Sequence, residues 1–125
     1  MVTAAKLGAV KVWGVDNKQE AAHVAEKNLI RNGIDADRFH VRGGDLLKGI
    51  DAQFDLIVAN IITELILSLL EDLEPVLRDG GIFICSGMVE KNCHRVIEKM
   101  REIGLRIIER KTRAMWSVAT ATLGG

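Results

Sequence analysis

The chain has 125 residues, is 48% hydrophobic, and carries 17 basic and 17 acidic residues for a formal net charge of zero. That length and apolar content fit one domain with a real core. The charges divide evenly, 8 of each sign through residue 62 and 9 of each after it. This excludes the basic face that direct nucleic-acid or anionic-membrane binding requires.

Residues 1–5 are apolar, but the run is too short and lacks the charged leading segment of a secretion signal. Residues 2–8 (VTAAKLG) read as the end of a helix closed by Gly8. Residues 11–16 (KVWGVD) form a short apolar strand that ends in Asp16. Residues 18–32 follow as a helix, with Ala22, Ala25 and Leu29 spaced for one face and Asn32-Gly33 as its stop. Residues 39–43 (FHVRG) are a second strand leading into Gly44-Asp45. Residues 54–60 (FDLIVAN) are a third, apolar almost throughout, as expected of a strand covered on both faces. From Ile62 to Leu77 the apolar residues recur at helical spacing, Pro75 kinks or divides the helix, and Asp79-Gly80-Gly81 breaks it. No apolar stretch reaches the ~18 residues of a membrane span, so no membrane partner is expected.

Residues 82–86 form a fourth strand, and 89–103 a helix with Val89, Val96, Ile97, Met100 and Ile103 as its buried stripe. Residues 105–111 and 115–123 are then two consecutive strands with no helix between them. Cys85 and Cys93 belong to no CxxC pair and read as free thiols, which fits a cytoplasmic location. His23 and His94 sit on helices among charged residues, and His40 lies in a strand with no ligand partner at a metal-binding spacing. No metal site is expected. Arg106, Arg110, Lys111 and Arg113 read as a solvated edge strand.

Strands alternating with helices imply an α/β fold, with a mostly parallel sheet and helices on both faces. The direct link between the last two strands requires that they pair antiparallel. An acid at the carboxyl end of a parallel strand, such as Asp16, is a grip for the two hydroxyls of a nucleotide ribose. It is equally an N-cap or first-turn acid for the helix that follows. A nicotinamide-dependent dehydrogenase shares that acid, but it needs a GxGxxG turn before the strand, and Gly43-Gly44 stands in the wrong place.

The blocks AAKLGA (4–9), VWGVD (12–16), AEKNLIRNGI (25–34), GDLL (44–47), FDLIVANI (54–61), LRDGGIFICSG (77–87) and MWSVA (115–119) occur in an order that resembles the ribosomal protein L11 methyltransferases. These are a branch of the class I S-adenosylmethionine-dependent methyltransferases. The resemblance implies a Rossmann-like sheet, mostly parallel with a terminal antiparallel strand pair, and S-adenosylmethionine as cofactor. It implies transfer of a methyl group to amino groups of ribosomal protein L11. It also implies that residues 1–125 are a single truncated catalytic domain whose first strand and glycine-rich loop are missing, together with a substrate-recognition domain. That first strand lies mid-sheet in the superfamily. Its absence would separate residues 11–16 and 39–43 from 54–60 unless the strands pair directly or another chain fills the gap. A homo-oligomer through the incomplete sheet is one such outcome.

The resemblance assigns the site as follows. Asp16 accepts the ribose hydroxyls and Asn17 bonds nearby. Gly44, Asp45 and Leu46 form the turn against adenine, with Asp45 accepting from the exocyclic amine and Leu46 covering the ring. Asn60 ends its strand beside the methyl donor, where its amide orients the accepting amine. The proline-proline-aromatic sequence common among amino-group methyltransferases is here Ile61-Ile62. That argues against glutamine or adenine amino groups as substrates. Trp116 either packs in the terminal strand or lines the substrate mouth, and Trp13 covers a side of the shortened sheet. The other reading is a non-catalytic, methyltransferase-like interaction module that self-associates. Without the glycine loop, the isolated chain is expected to bind cofactor weakly or not at all and not to turn over.

Overall fold

The structure, a computed structural model, describes residues 1–124. The chain forms two compact units, Met1–Lys48 and Gly49–Gly125.

The first unit runs α1 (Val2–Lys6), β1 (Val12–Asp16), α2 (Gln19–Arg31), a 3-10 turn (Ala36–Arg38) and β2 (Phe39–Gly43). Its two strands pair in parallel, from Val12 beside Phe39 to Asp16 beside Gly43. The core is Ala5, Leu29 and Ile34, with Met1, Val2, Val12, Phe39 and Val41 packed on it. Ala22 and Leu29 of the expected helical stripe are buried. The helix stops at Asn32, whose side-chain amide donates to the Asn28 carbonyl, and Gly33 follows at φ +78°. The Arg38 guanidinium donates to the Ala5 carbonyl (2.9 Å) and the Ala9 carbonyl (2.7 Å), tying down the end of α1. That arginine gave no signal in the sequence.

The second unit runs β3 (Phe54–Asn60), α3 (Thr63–Leu70), a 3-10 turn (Glu74–Val76), β4 (Leu77–Val89), α4 (Glu90–Glu102), β5 (Leu105–Arg113) and β6 (Trp116–Leu123). The strand order is β3-β4-β6-β5. β3 and β4 are parallel, and β6 is antiparallel to both β4 and β5, as the direct link between the last strands requires. Phe83 and Cys85 face the same way as their cross-strand partners Ala121 and Ala119, and all four are fully buried. The buried stripes of α3 (Ile66, Leu69, Leu70) and α4 (Cys93, Val96, Ile97, Met100) complete this core. The basic residues Arg106, Arg110, Lys111 and Arg113 are exposed on β5, which is an edge strand as expected.

Three expectations are corrected. The helix expected up to Leu77 ends at Leu70. Pro75 has no N–H to continue it and sits instead in the 3-10 turn, where a proline costs little. Leu73, Val76 and Leu77 are still buried, so the apolar spacing marked core positions and not one helix. The fourth strand begins at Leu77, not Ile82: Leu77 pairs with Phe54 and Ile82 with Leu56, so residues 78–81 bulge opposite Asp55. The bulge is held by the Arg78–Asp55 ion pair (2.7 Å) and by the Thr122 hydroxyl donating to the Gly81 carbonyl (2.9 Å).

The third correction concerns covering. Leu56 and Val58 of β3 are 53% and 63% exposed, and Ile82 and Val118 on the same face are also open to solvent. Helices therefore close one face of this sheet and not both. Within the second unit β3 is an edge strand of the sheet β3-β4-β6-β5.

Candidate functional site

The first unit brings four of the expected site positions together. Asp16 ends β1 beside Gly43, and the Gly44 N–H donates to the Asp16 carbonyl at 2.8 Å. This bond fixes the Gly44-Asp45-Leu46 turn against the strand end that carries Asp16 and Asn17. The Asp16 carboxylate is exposed, and its Oδ1 accepts the Lys18 N–H at 2.9 Å. Lys18 is the N-cap of α2 and Glu20 its first-turn acid, so Asp16 is neither, and its one local bond lies just ahead of the helix. It occupies one lone pair and leaves Oδ2 and the remaining capacity of Oδ1 for a ligand. Asn17 is exposed at the same corner.

The turn itself is tightly specified. Leu46 has φ +52°, an unusual conformation for a branched side chain. Such backbone strain collects at ligand-binding positions. Arg42 closes the turn by donating from Nη2 to the Lys48 carbonyl at 2.8 Å, while its Nε is buried without a hydrogen-bond partner. Gly43 admits the Gln19 carboxamide, whose Oε1 lies where a Cβ would be. Neither Gln19 nor Arg42 was singled out from the sequence. Both follow only once β1 and β2 are paired in register. On the same strand pair Trp13 packs against His40 directly across from it, with ring centroids 4.5 Å apart and the planes tilted by 47°.

The second unit carries Asn60. It ends β3 opposite Ser86, and the Ile61 N–H donates to the Ser86 carbonyl at 3.1 Å, which fixes the chain as it leaves the strand. The Asn60 side chain is exposed and makes no hydrogen bond to a described residue. Ile62 is exposed just beyond it. At the carboxyl end of β4, Val89 pairs with Trp116, which is 58% exposed and therefore does not pack into the sheet. The tight β5–β6 turn projects Met115 beside it, with Ala114 at φ +55°. The strand ends of this unit thus present a free amide and an apolar rim.

Cys85 takes no part in this. Burial pushes its thiol up to about 12; the nearby Cys93 adds to the effect, and a hydrogen bond from the Ala119 backbone opposes it. A neutral, enclosed thiol is no nucleophile.

An acid closing a parallel strand beside a glycine turn, and a second parallel pair ending in an antiparallel hairpin, define the Rossmann-like methyltransferase class. A methyltransferase from Pyrococcus furiosus superposes with a TM-score of 0.82 at 21% identity, over 98% of this chain and 67% of that one, and shows the fold. Within that class, the family described as ribosomal protein L11 methyltransferase (PrmA) matches residues 1–123, and the chain belongs to it. The ribosomal protein L11 methyltransferase of Desulfosudis oleivorans is 44% identical over 93% of this chain, and that of Thermotoga neapolitana 38% over 92%. A crystal structure of ribosomal protein L11 methylase from Lactobacillus delbrueckii subsp. bulgaricus matches with a TM-score of 0.89 at 29% identity, covering 99% of this chain and 64% of that one. The chain spans about two-fifths of the length of these curated relatives, 39% and 42%.

Proposed function

We propose that residues 1–125 belong to the catalytic domain of a cytoplasmic S-adenosylmethionine-dependent protein N-methyltransferase whose substrate is ribosomal protein L11. The observation that carries this reading is the Gly44-to-Asp16 backbone bond, which sets an exposed carboxylate beside a strained turn. The residues present fit the nucleoside part of the cofactor. Asp16 keeps free acceptor capacity for the ribose hydroxyls, Asn17 offers a further polar contact, and Asp45 is exposed to accept from the adenine amine. Leu46, half-buried and held at its unusual φ, would cover the ring.

S-adenosylmethionine, when bound, supplies a methyl group on a sulfonium, ready for attack by a neutral amine. Asn60 would orient the hydrogens of that amine through its carboxamide, and Ile61 and Ile62 leave room for an aliphatic chain in place of an aromatic clamp. Such chemistry depends on holding two groups in line more than on acid or base help. Exposed Trp116 and Met115 would line the approach of the substrate. The methionine end of the cofactor finds no glycine-rich loop among these residues, so the isolated chain should bind weakly and turn over little or not at all.

Titration with S-adenosylhomocysteine tests the reading. Weak, saturable binding that vanishes in Asp16→Ala supports it; a folded chain that binds nothing at any accessible concentration removes the cofactor site from this chain. Methylation of L11 by the isolated chain would refute its predicted inactivity.

A second reading rests on a different observation. β3 is an edge strand of its sheet with Leu56 and Val58 exposed on it, which suits a self-associating interaction module. Light scattering should then show concentration-dependent dimers that Val58→Lys disperses. A monomer at every concentration would count against it.

A further inference from the structure

Gly87, on the neighbouring strand β4, lies beside the end of β3 that carries Asn60. β4 carries a bulge between Cys85 and Met88: Cys85 pairs with Ala119 and Met88 with Ser117, so Ser86 and Gly87 together face Val118. Bulges of this kind bend a strand and re-aim its neighbours. Gly87 adopts φ +92° there. A Cβ on residue 87 would lie 2.6 Å from the Ile61 carbonyl oxygen and 3.0 Å from Asn60 Oδ1. The first distance is shorter than a carbon–oxygen contact tolerates, and the second is tight, so the Asn60 carboxamide would have to shift by a few tenths of an ångström. The two oxygens therefore converge on the space that a side chain at 87 would take. They are the same two acceptors that flank the end of β3, where an amine would be oriented.

We propose that Gly87 is a positioning residue for this site. Its missing side chain lets the Asn60 carboxamide and the Ile61 carbonyl close over β4, and so sets the direction in which both acceptors point. The bulge alone would account for the positive φ, but it would not place Asn60 Oδ1 against this Cα. The inference gains its functional meaning from the reading of Asn60 as the amine-orienting group; the geometric claim stands separately and is tested separately.

The test uses nuclear magnetic resonance on the isotopically labelled chain, with the Asn60 side-chain amide assigned by its loss in Asn60→Ala. In the wild-type chain the Gly87 Hα protons should show cross-relaxation with the Asn60 Hδ2 protons. In Gly87→Ala those side-chain amide signals should shift while the backbone amides of Phe83 and Met100, in the core, stay in place. Absence of the wild-type cross-peak overturns the proposal, and this measurement needs no substitution at residue 87. An unmoved Asn60 amide in a folded Gly87→Ala chain also overturns it and reduces Gly87 to a bulge residue. A displaced Asn60 amide, combined with a substitution of the matching asparagine that leaves methyl transfer by a full-length member of the family unchanged, would sustain the positioning and reject the catalytic reading of Asn60.

Discussion

Replacing Asp16 separates its two roles. Its Oδ1 accepts the Lys18 N–H at 2.9 Å at the start of α2, and its remaining acceptor capacity is open. Losing the local bond should cost about 1 kcal/mol of stability, or about 4 °C in Tm for a chain of this size. Losing the ribose contacts is a larger effect on binding. Two hydrogen bonds to a carboxylate at about 1.5 kcal/mol each amount to about a hundredfold in affinity. Asp16→Ala should show both losses. Asp16→Asn keeps an oxygen for Lys18 but gives up the charge and one acceptor. It should melt close to wild type while binding S-adenosylhomocysteine at least about tenfold more weakly. The assay is calorimetric or spectroscopic titration beside thermal melting of the same samples. If Asp16→Ala melts lower yet binds as well as wild type, Asp16 serves only its local bond ahead of α2, and the ribose assignment is wrong.

The buried Cys85 thiol makes stability fall in alkali. A solvated thiol ionises near 9.0, whereas in the fold this one stays neutral up to about 12. Its contribution is therefore complete below pH 9 and is lost as pH rises from 9 towards 12, at up to about 1.4 kcal/mol per unit. Urea midpoints measured across that range should drop more steeply for wild type than for Cys85→Ala, and equal slopes would contradict the assignment. Arg38→Ala removes two hydrogen bonds to the Ala5 and Ala9 carbonyls and should cost about 2 kcal/mol. Hydrogen exchange should then quicken at the Leu7 and Ala9 amides, and unchanged protection there would show that the guanidinium does not hold α1. Ala114→Gly relieves a residue at φ +55° in an exposed turn and should raise stability by about 0.5 kcal/mol, the left-handed penalty exceeding the added freedom of the unfolded glycine. A lower melting temperature would refute that balance.

Most elements were legible because their signals are local. The period of Ala22, Ala25 and Leu29 fixed α2, and the strand–helix alternation fixed the parallel pairs. The antiparallel ending followed from the missing crossover between the last two strands. The misreadings arose where one signal had two sources. Leu73, Val76 and Leu77 sit at helical spacing and are buried, yet they belong to a turn, a 3-10 segment and a strand. Apolar spacing reports burial, and Pro75 decided the backbone. Leu56 and Val58 suggested a strand covered on both faces, but a sequence pattern cannot show whether the covering element is supplied. Arg38, Gln19 and Gly87 were invisible for another reason. Their roles depend on contacts between residues far apart in sequence or across a strand pair, where residue type alone carries no signal.

The site itself was legible where a strand end fixes it and silent where chemistry usually helps. Displaced ionisation often marks functional groups, but here it leads to Cys85, a thiol sealed in the core. That mismatch follows from the reaction proposed. A sulfonium is already activated, so the protein need not store a strong acid or base beside it; it must hold a nucleoside and aim an amine. On that proposal holding would fall to carboxylates at a strand end and a strained turn, and aiming to an uncharged amide. Backbone geometry should therefore be the better guide to such a site, and it picks out Leu46 at the first strand pair and Gly87 beside Asn60. Both are residues that no charge-based search would select. Gly87→Ala is the sharper probe of the two, because it adds one methyl group, removes no hydrogen bond and alters no charge. Residue 87 sits at φ +92°, so the added methyl also strains the bulge, and the wild-type cross-relaxation is the measurement free of that strain.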